Sequence, residues 1–194
     1  MSVAYQNNLN YGRFEVRTQT PHLEFCHVKQ VHGVKIAKPS ELPCEADGLM
    51  VLWKDYTHPI AIKTADCLPM VIEGDKGVVC LHAGWRGLAA GILGQAEIAI
   101  IVPQRVFIGP SIHNCCFEVT SEFKDHFPKS SNFRTEGSLL YFDLQTEARN
   151  LLRQKFPNLL VEISPICTSC NKDFHSYRRD KTLTERNWNL YIKG

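Results

Sequence analysis

Apolar residues in this chain gather in short runs rather than in long helical stripes. His22 to Val34, Gly48 to Trp53, Pro59 to Ile72, Gly77 to His82 and Arg105 to Ile108 are β-rich runs set off by Gly, Pro or polar residues. Runs of this kind predict buried strands. Leu160 to Ile166 predicts another, and Trp188 to Ile192 a last one. Two segments carry a helical pattern instead. From Leu88 to Ile100 the residues are mostly helix formers, interrupted by Gly91 and Gly94. After Asp143, a natural capping residue, Leu144, Ala148, Leu151, Leu152 and Phe156 recur close to the 3.6-residue period, and Pro157 ends the pattern. A shorter helix is predicted from Thr120 or Ser121 to Phe127. Strands interleaved with a few helices predict an α/β fold, a single layered domain over residues 1–194 with a mixed β-sheet and flanking helices. The pattern does not set the strand order.

Bulk properties narrow the function. A chain of 194 residues with 44% hydrophobic content buries a substantial core without needing a second domain. Its 22 basic and 20 acidic side chains leave a formal net charge of +2, and the longest basic cluster is the pair Arg178 and Arg179. That balance argues against nucleic acid and points to a small-molecule partner. No stretch approaches the roughly 20 apolar residues of a membrane span. The first residues lack the basic-then-apolar pattern of an export signal, so a cytoplasmic location is expected. In that reducing compartment the eight cysteines read mainly as buried thiols, with a minority serving as ligands or nucleophiles. Cys80, inside Val78-Val-Cys-Leu81, is the plainest core thiol. Nothing in the pattern sets an oligomeric state.

Four polar segments are not explained by a core: Lys29 to Gly33, Thr64 to Pro69, His82 to Gly87 and Ser176 to Asp180. The first three place His32, Cys67 and His82 where an apolar run meets Gly or Pro, the strand-end positions at which α/β folds assemble sites. Two imidazoles and a thiolate suit zinc, and three protein ligands leave a fourth position for solvent or substrate. The same donor set is compatible with copper. Arg86 follows Gly84 at the start of a predicted helix, where a phosphate contact and a local ion pair are equal readings. Asp66 either moves a proton or caps the turn before Pro69. Asp47-Gly48 reads as a turn whose carboxylate has access to the same pocket. Cys167 and Cys170 have the spacing of a redox motif or half a zinc knuckle, but Cys115-Cys116 has the wrong spacing for the other half, so a structural or loop role is expected. The remaining six histidines lack a comparable setting.

Taken together, Gln30-Val-His32-Gly33, Asp47-Gly48, Thr64-Ala-Asp-Cys67-Leu-Pro69, His82-Ala-Gly-Trp-Arg-Gly87, Gly109-Pro-Ser-Ile112, Cys116-Phe-Glu-Val119, Cys167-Thr168 and Ser176-Tyr-Arg-Arg-Asp180 resemble the bacterial laccase-domain family. Its members are also called polyphenol oxidases or peptidoglycan-editing factors. The resemblance implies zinc held by His32, Cys67 and His82. It further implies phosphorolysis of adenosine, inosine and methylthioadenosine, and hydrolytic deamination of adenosine. On that reading Asp66 is the proton donor to the leaving amine, and Arg86, helped by Arg178 or Arg179, binds phosphate. Family members usually continue Arg-Arg-Asp-Gly into Gly-Arg-Gln, whereas this chain continues Lys181-Thr-Leu-Thr-Glu-Arg186. Three rival readings remain: a copper-dependent polyphenol oxidase, a thiol hydrolase in which His82 or His32 activates Cys67, and a non-enzymatic zinc-stabilised factor in cell-wall precursor fidelity.

Overall fold

The computed structural model describes residues 3–181 and 184–194; Thr182 and Leu183, within the departure from the family pattern, lie outside them. The chain begins with β1 (Tyr5–Asn8) and β2 (Gly12–Arg17), then β3 (Ile36–Ala37), β4 (Gly48–Leu52), β5 (Ile60–Thr64), β6 (Leu68–Gly74) and β7 (Gly77–Ala83). Two short helices follow, α1 (Trp85–Ala89) and α2 (Ala96–Ile100), before β8 (Pro103–Ile108), β9 (Glu118–Val119), β10 (Phe133–Glu136) and β11 (Leu139–Phe142). The last elements are α3 (Leu144–Lys155), β12 (Leu160–Ile163), α4 (Tyr177–Asp180) and β13 (Asn187–Lys193).

A mixed six-stranded sheet, in the order β12-β8-β6-β7-β4-β3, forms the middle of the molecule. Its outer pairs are parallel and its inner pairs antiparallel. Successive side chains of a strand point to opposite faces, and here both faces are buried. Met70, Ile72, Val79, Leu81, Val106 and Ile108 join one core, while Val71, Val78, Cys80, Leu49, Val51 and Phe107 join the other. Two-sided burial is why these strands read as continuous apolar runs instead of alternating ones. The first core is closed by the helices and by the aromatic rings of Phe117, Phe127 and Phe142. The second is closed by a four-stranded antiparallel sheet, β1-β2-β13-β5, through Phe14, Val16, Ile60, Ile62 and Tyr191. A three-stranded sheet, β10-β11-β9, completes the set. The α/β class expected from the sequence holds. Among the described residues no helix is long and apolar enough to cross a membrane.

Several elements differ from the expected ones for identifiable reasons. The run from Pro59 to Ile72 divides between two sheets, breaking at Asp66, whose φ is 88°. Residues 22–34 form no strand. Their backbone makes only isolated bridges, Cys26 with Ile60 and Lys29 with Glu45, and three of their N–H groups turn to a carboxylate described below. The helix expected over 88–100 splits at Gly91, where φ is 89°. Glycine costs about 1 kcal/mol in a helix, while burying an aliphatic side chain stabilises by about 1.5–3 kcal/mol. Burial of Leu88, Ile92, Leu93 and Ile98 therefore sets the path of the chain. Helix α3 forms as its periodicity predicts, and the Asp143 carboxylate accepts the Thr146 N–H at 2.9 Å as its cap. The 121–126 segment is a 3-10 helix.

Candidate metal centre

The antiparallel pairing of β6 and β7 sets Leu68 opposite Ala83 and Pro69 opposite His82. The start of β6 and the end of β7 are thereby fixed side by side, which brings Cys67, one residue before β6, next to His82. Asp47 enters from the start of β4, and the backbone N–H of His82 donates to its carbonyl at 2.8 Å. His32 arrives on the loop before β3. One ligand atom from each of His32, Cys67 and His82 lies within 4.8 Å of the other two. The two imidazole rings stand almost perpendicular, at 82° with centroids 4.7 Å apart. His82 is buried, Cys67 half-buried and His32 exposed, so the group opens to solvent on the His32 side.

Asp47 organises this arrangement. Its carboxylate takes the Nδ1 hydrogen of His82 at 2.8 Å, which leaves Nε2 for the triad. It also accepts the successive backbone N–H groups of Val31, His32 and Gly33, at 3.2, 2.9 and 2.6 Å. One fully buried carboxylate thus fixes the tautomer of one ligand and the loop that carries another, the arrangement that second partners of metal-binding histidines usually supply. The three bonds hold His32 at φ 61°, a left-handed conformation that a side chain other than glycine or asparagine rarely adopts. Gly84 is required by close approach: a Cβ there would lie 3.0 Å from the Cys67 sulfur and 3.4 Å from His32.

The electrostatics favour the ligand-competent thiolate. Burial raises the Cys67 thiol, but hydrogen bonds and positive charge from His32 and His82 outweigh it and lower it to about 6. Burial also disfavours a charged His82, yet its bonds to Asp47 and Cys67 bring it up to about 9. Burial acts to raise Asp47 as well, but its bonds to His82, Gly33 and Val31 hold it below the usual carboxylate range. Two nitrogen donors, one thiolate and an outer carboxylate form a set that fits zinc, with copper also compatible.

Around the triad, the other sequence candidates occupy different settings. Asp66 is buried, with one carboxylate oxygen accepting the Thr168 hydroxyl at 2.7 Å and the other the Arg178 N–H at 2.6 Å. It ties the Cys67 turn to the loop of Thr168 and to the first turn of α4, both more than a hundred residues away. The Arg178 guanidinium donates to the carbonyls of Cys116 and Glu118. That of Arg179 donates to the carbonyls of Thr168, Ser169, Asn171 and Phe174 and pairs with Asp180. Arg86, in the first turn of α1, is exposed, and its guanidinium stacks on Trp85 at 4.4 Å with no hydrogen bond or ion pair of its own among the described residues. The sequence reads Asp47 as a turn residue with its carboxylate toward this pocket, and does not show which groups it binds. Its only local signal is an acidic residue before a buried strand, and its partners lie 14 to 35 positions away.

The fold and site define a mixed α/β protein with a His/Cys triad able to hold a metal ion at the ends of two central strands. The chain belongs to the family described as multi-copper polyphenol oxidoreductase laccase, whose model matches residues 5–192. It is 35% identical over 154 residues to an Aquifex aeolicus protein named purine nucleoside phosphorylase, covering 77% of this chain and 72% of that one. It is 32% identical over 170 residues to the Escherichia coli purine nucleoside phosphorylase YfiH, covering 80% and 68%. The crystal structure of YlmD from Geobacillus stearothermophilus superposes with a TM-score of 0.74 at 30% identity, over 87% of this chain and 73% of that one. The Neisseria meningitidis protein NMB0706 superposes with a TM-score of 0.77 at 29% identity, over 89% and 76%.

Proposed function

We propose that this protein is a zinc-dependent purine nucleoside phosphorylase that also deaminates adenosine hydrolytically, acting in the cytoplasm on adenosine, inosine and methylthioadenosine. The observation that carries the proposal is the convergence of His32, Cys67 and His82 with one side open to solvent. The names of the relatives support the phosphorylase half. Zinc held by these three residues supplies Lewis acidity, which makes a water nucleophilic near neutral pH.

In phosphorolysis a phosphate oxygen bonds to ribose C1′ as the bond from C1′ to the purine nitrogen breaks, and the base leaves with a proton. Arg86 stands four residues after His82 with a guanidinium that makes no ion pair among the described residues, and it is the phosphate contact in this scheme. Arg178 and Arg179 join it only by giving up carbonyl partners. In deamination, water adds at purine C6 and ammonia departs, leaving inosine. Asp66 takes a proton from the adding water and passes it to that amine by releasing one of its two carboxylate hydrogen bonds; with both retained, it acts by positioning Cys67.

Incubating metal-characterised protein with adenosine, with and without phosphate, separates the reactions. Phosphate-dependent adenine and phosphate-independent inosine are expected, and His82→Ala is expected to lose both. Full activity in a verified metal-free sample refutes the scheme. The copper reading rests on the family description. Copper at one or more equivalents with aerobic turnover of a phenol, and no nucleoside products, selects it instead.

A further inference from the structure

Besides the triad, the fold gathers a second cluster that the reading above does not use. Cys115 and Cys116, in the loop after β8, meet Cys167 and Cys170, in the loop between β12 and α4. All four sulfurs lie within 4.8 Å of one another. The Cys115 sulfur is 3.7 Å from those of Cys116 and Cys170, and the Cys116 and Cys170 sulfurs are 3.3 Å apart. Four thiolates around zinc at bonds of about 2.3 Å place sulfurs about 3.8 Å from one another, so the spacing already approaches a tetrahedral thiolate shell. It is well beyond the bonding distance of a disulfide, about 2.05 Å. The adjacent pair lacks the usual spacing of a knuckle, but the loop presents both sulfurs to the same point.

The surroundings suit a bound dication with a net charge of −2 on the complex. The His113 N–H points at the Cys167 sulfur at 3.4 Å. Arg134 and Arg178 donate to the carbonyls of Asn114 and Cys116, placing guanidinium groups on both sides of Cys115. We propose that Cys115, Cys116, Cys167 and Cys170 form a second, closed metal site for a thiophilic divalent cation, zinc first. With all four positions filled by protein, this site is structural. It clamps together the two loops that hold Asp66. The Ile112 N–H donates to the Asp66 carbonyl at 2.9 Å, and the Thr168 hydroxyl donates to its carboxylate. The outer site therefore braces the turn that carries Cys67.

The test is metal counting on the whole protein, reduced, loaded with zinc and desalted. Two equivalents are expected in the native chain, one in the double variant Cys115→Ser with Cys170→Ser, and one in Cys67→Ser. Cobalt loading of Cys67→Ser is expected to give the visible absorption of a tetrahedral all-thiolate centre. If the double variant does not fold, thiol labelling of the native chain decides: zinc is expected to shield Cys115 and Cys170, both exposed, from alkylation. One equivalent in the native chain that is lost in Cys67→Ser, or Cys115 and Cys170 labelling equally with and without zinc, overturns the second site and leaves the triad standing. Metal retained by Cys67→Ser but lost in the double variant overturns the triad instead.

Discussion

Asp47 shows how much a single buried carboxylate decides at the residue scale. Five of its hydrogen bonds, to the His82 ring, to three loop N–H groups and from the His82 N–H to its carbonyl, leave His32 and His82 little freedom to turn away from Cys67. Asp47→Asn removes the charge and puts an amide donor among donors. Loss of such an outer partner typically weakens metal binding about 10–100-fold. That loss is expected here, read by competition against a chromogenic chelator with the circular dichroism spectrum unchanged. An unchanged zinc affinity assigns Asp47 to loop structure alone. The three candidate ligands are legible because each stands where an apolar run meets Gly or Pro. Asp47 is legible as a turn residue with a carboxylate toward the same pocket, but not its bonds to His82 and the 31–33 loop, because those depend on groups brought to it by strand pairing.

At the scale of elements, local signals and tertiary demands diverge in a regular way. Helix α3 declares itself through its period and cap, and its 12 residues are where the pattern puts them. The runs do not predict β1, β2, β3, β9, β10 or β11; β1, β2, β9 and β10 carry polar or mixed residues, β3 has only two residues and β11 four, and all gain their order from partners. Within β2, Glu15 is buried between Arg13 at 2.7 Å and Arg17 at 2.8 Å. Burial raises its carboxyl, yet the two arginine bonds outweigh it and hold the folded value below the ordinary one. A group lowered in this way contributes its stability fully above its unfolded value, near 4.3, and loses it as pH falls through the folded value. Glu15→Gln is expected to lower stability by about 1–2 kcal/mol at neutral pH and to flatten the acid limb below about pH 4. Urea melts across that range check both; parallel acid limbs in the two proteins rule out the assignment.

Over the whole molecule, His32, Cys67 and His82 come from three separate stretches of chain, so a metal held by them would link its binding to folding. A ligand that binds only the folded state stabilises it by about 4 kcal/mol at a thousandfold excess over Kd, which raises the midpoint of a chain this size by about 8–16 °C. Zinc addition to apo protein is expected to produce a rise of that order, and chelation to reverse it; a melting point indifferent to zinc shows that the folded state gains nothing from the metal. The sequence by itself determined the α/β class, the strands of the central sheet that read as apolar runs, α3 and the three candidate ligands, because burial and period are written into neighbouring residues. Tertiary structure alone decided that Asp47 joins His32 to His82, that Asp66 ties the Cys67 turn to distant loops, and that two cysteine pairs meet. Those are contacts between groups tens of residues apart, and only the pairing of strands sets such distances.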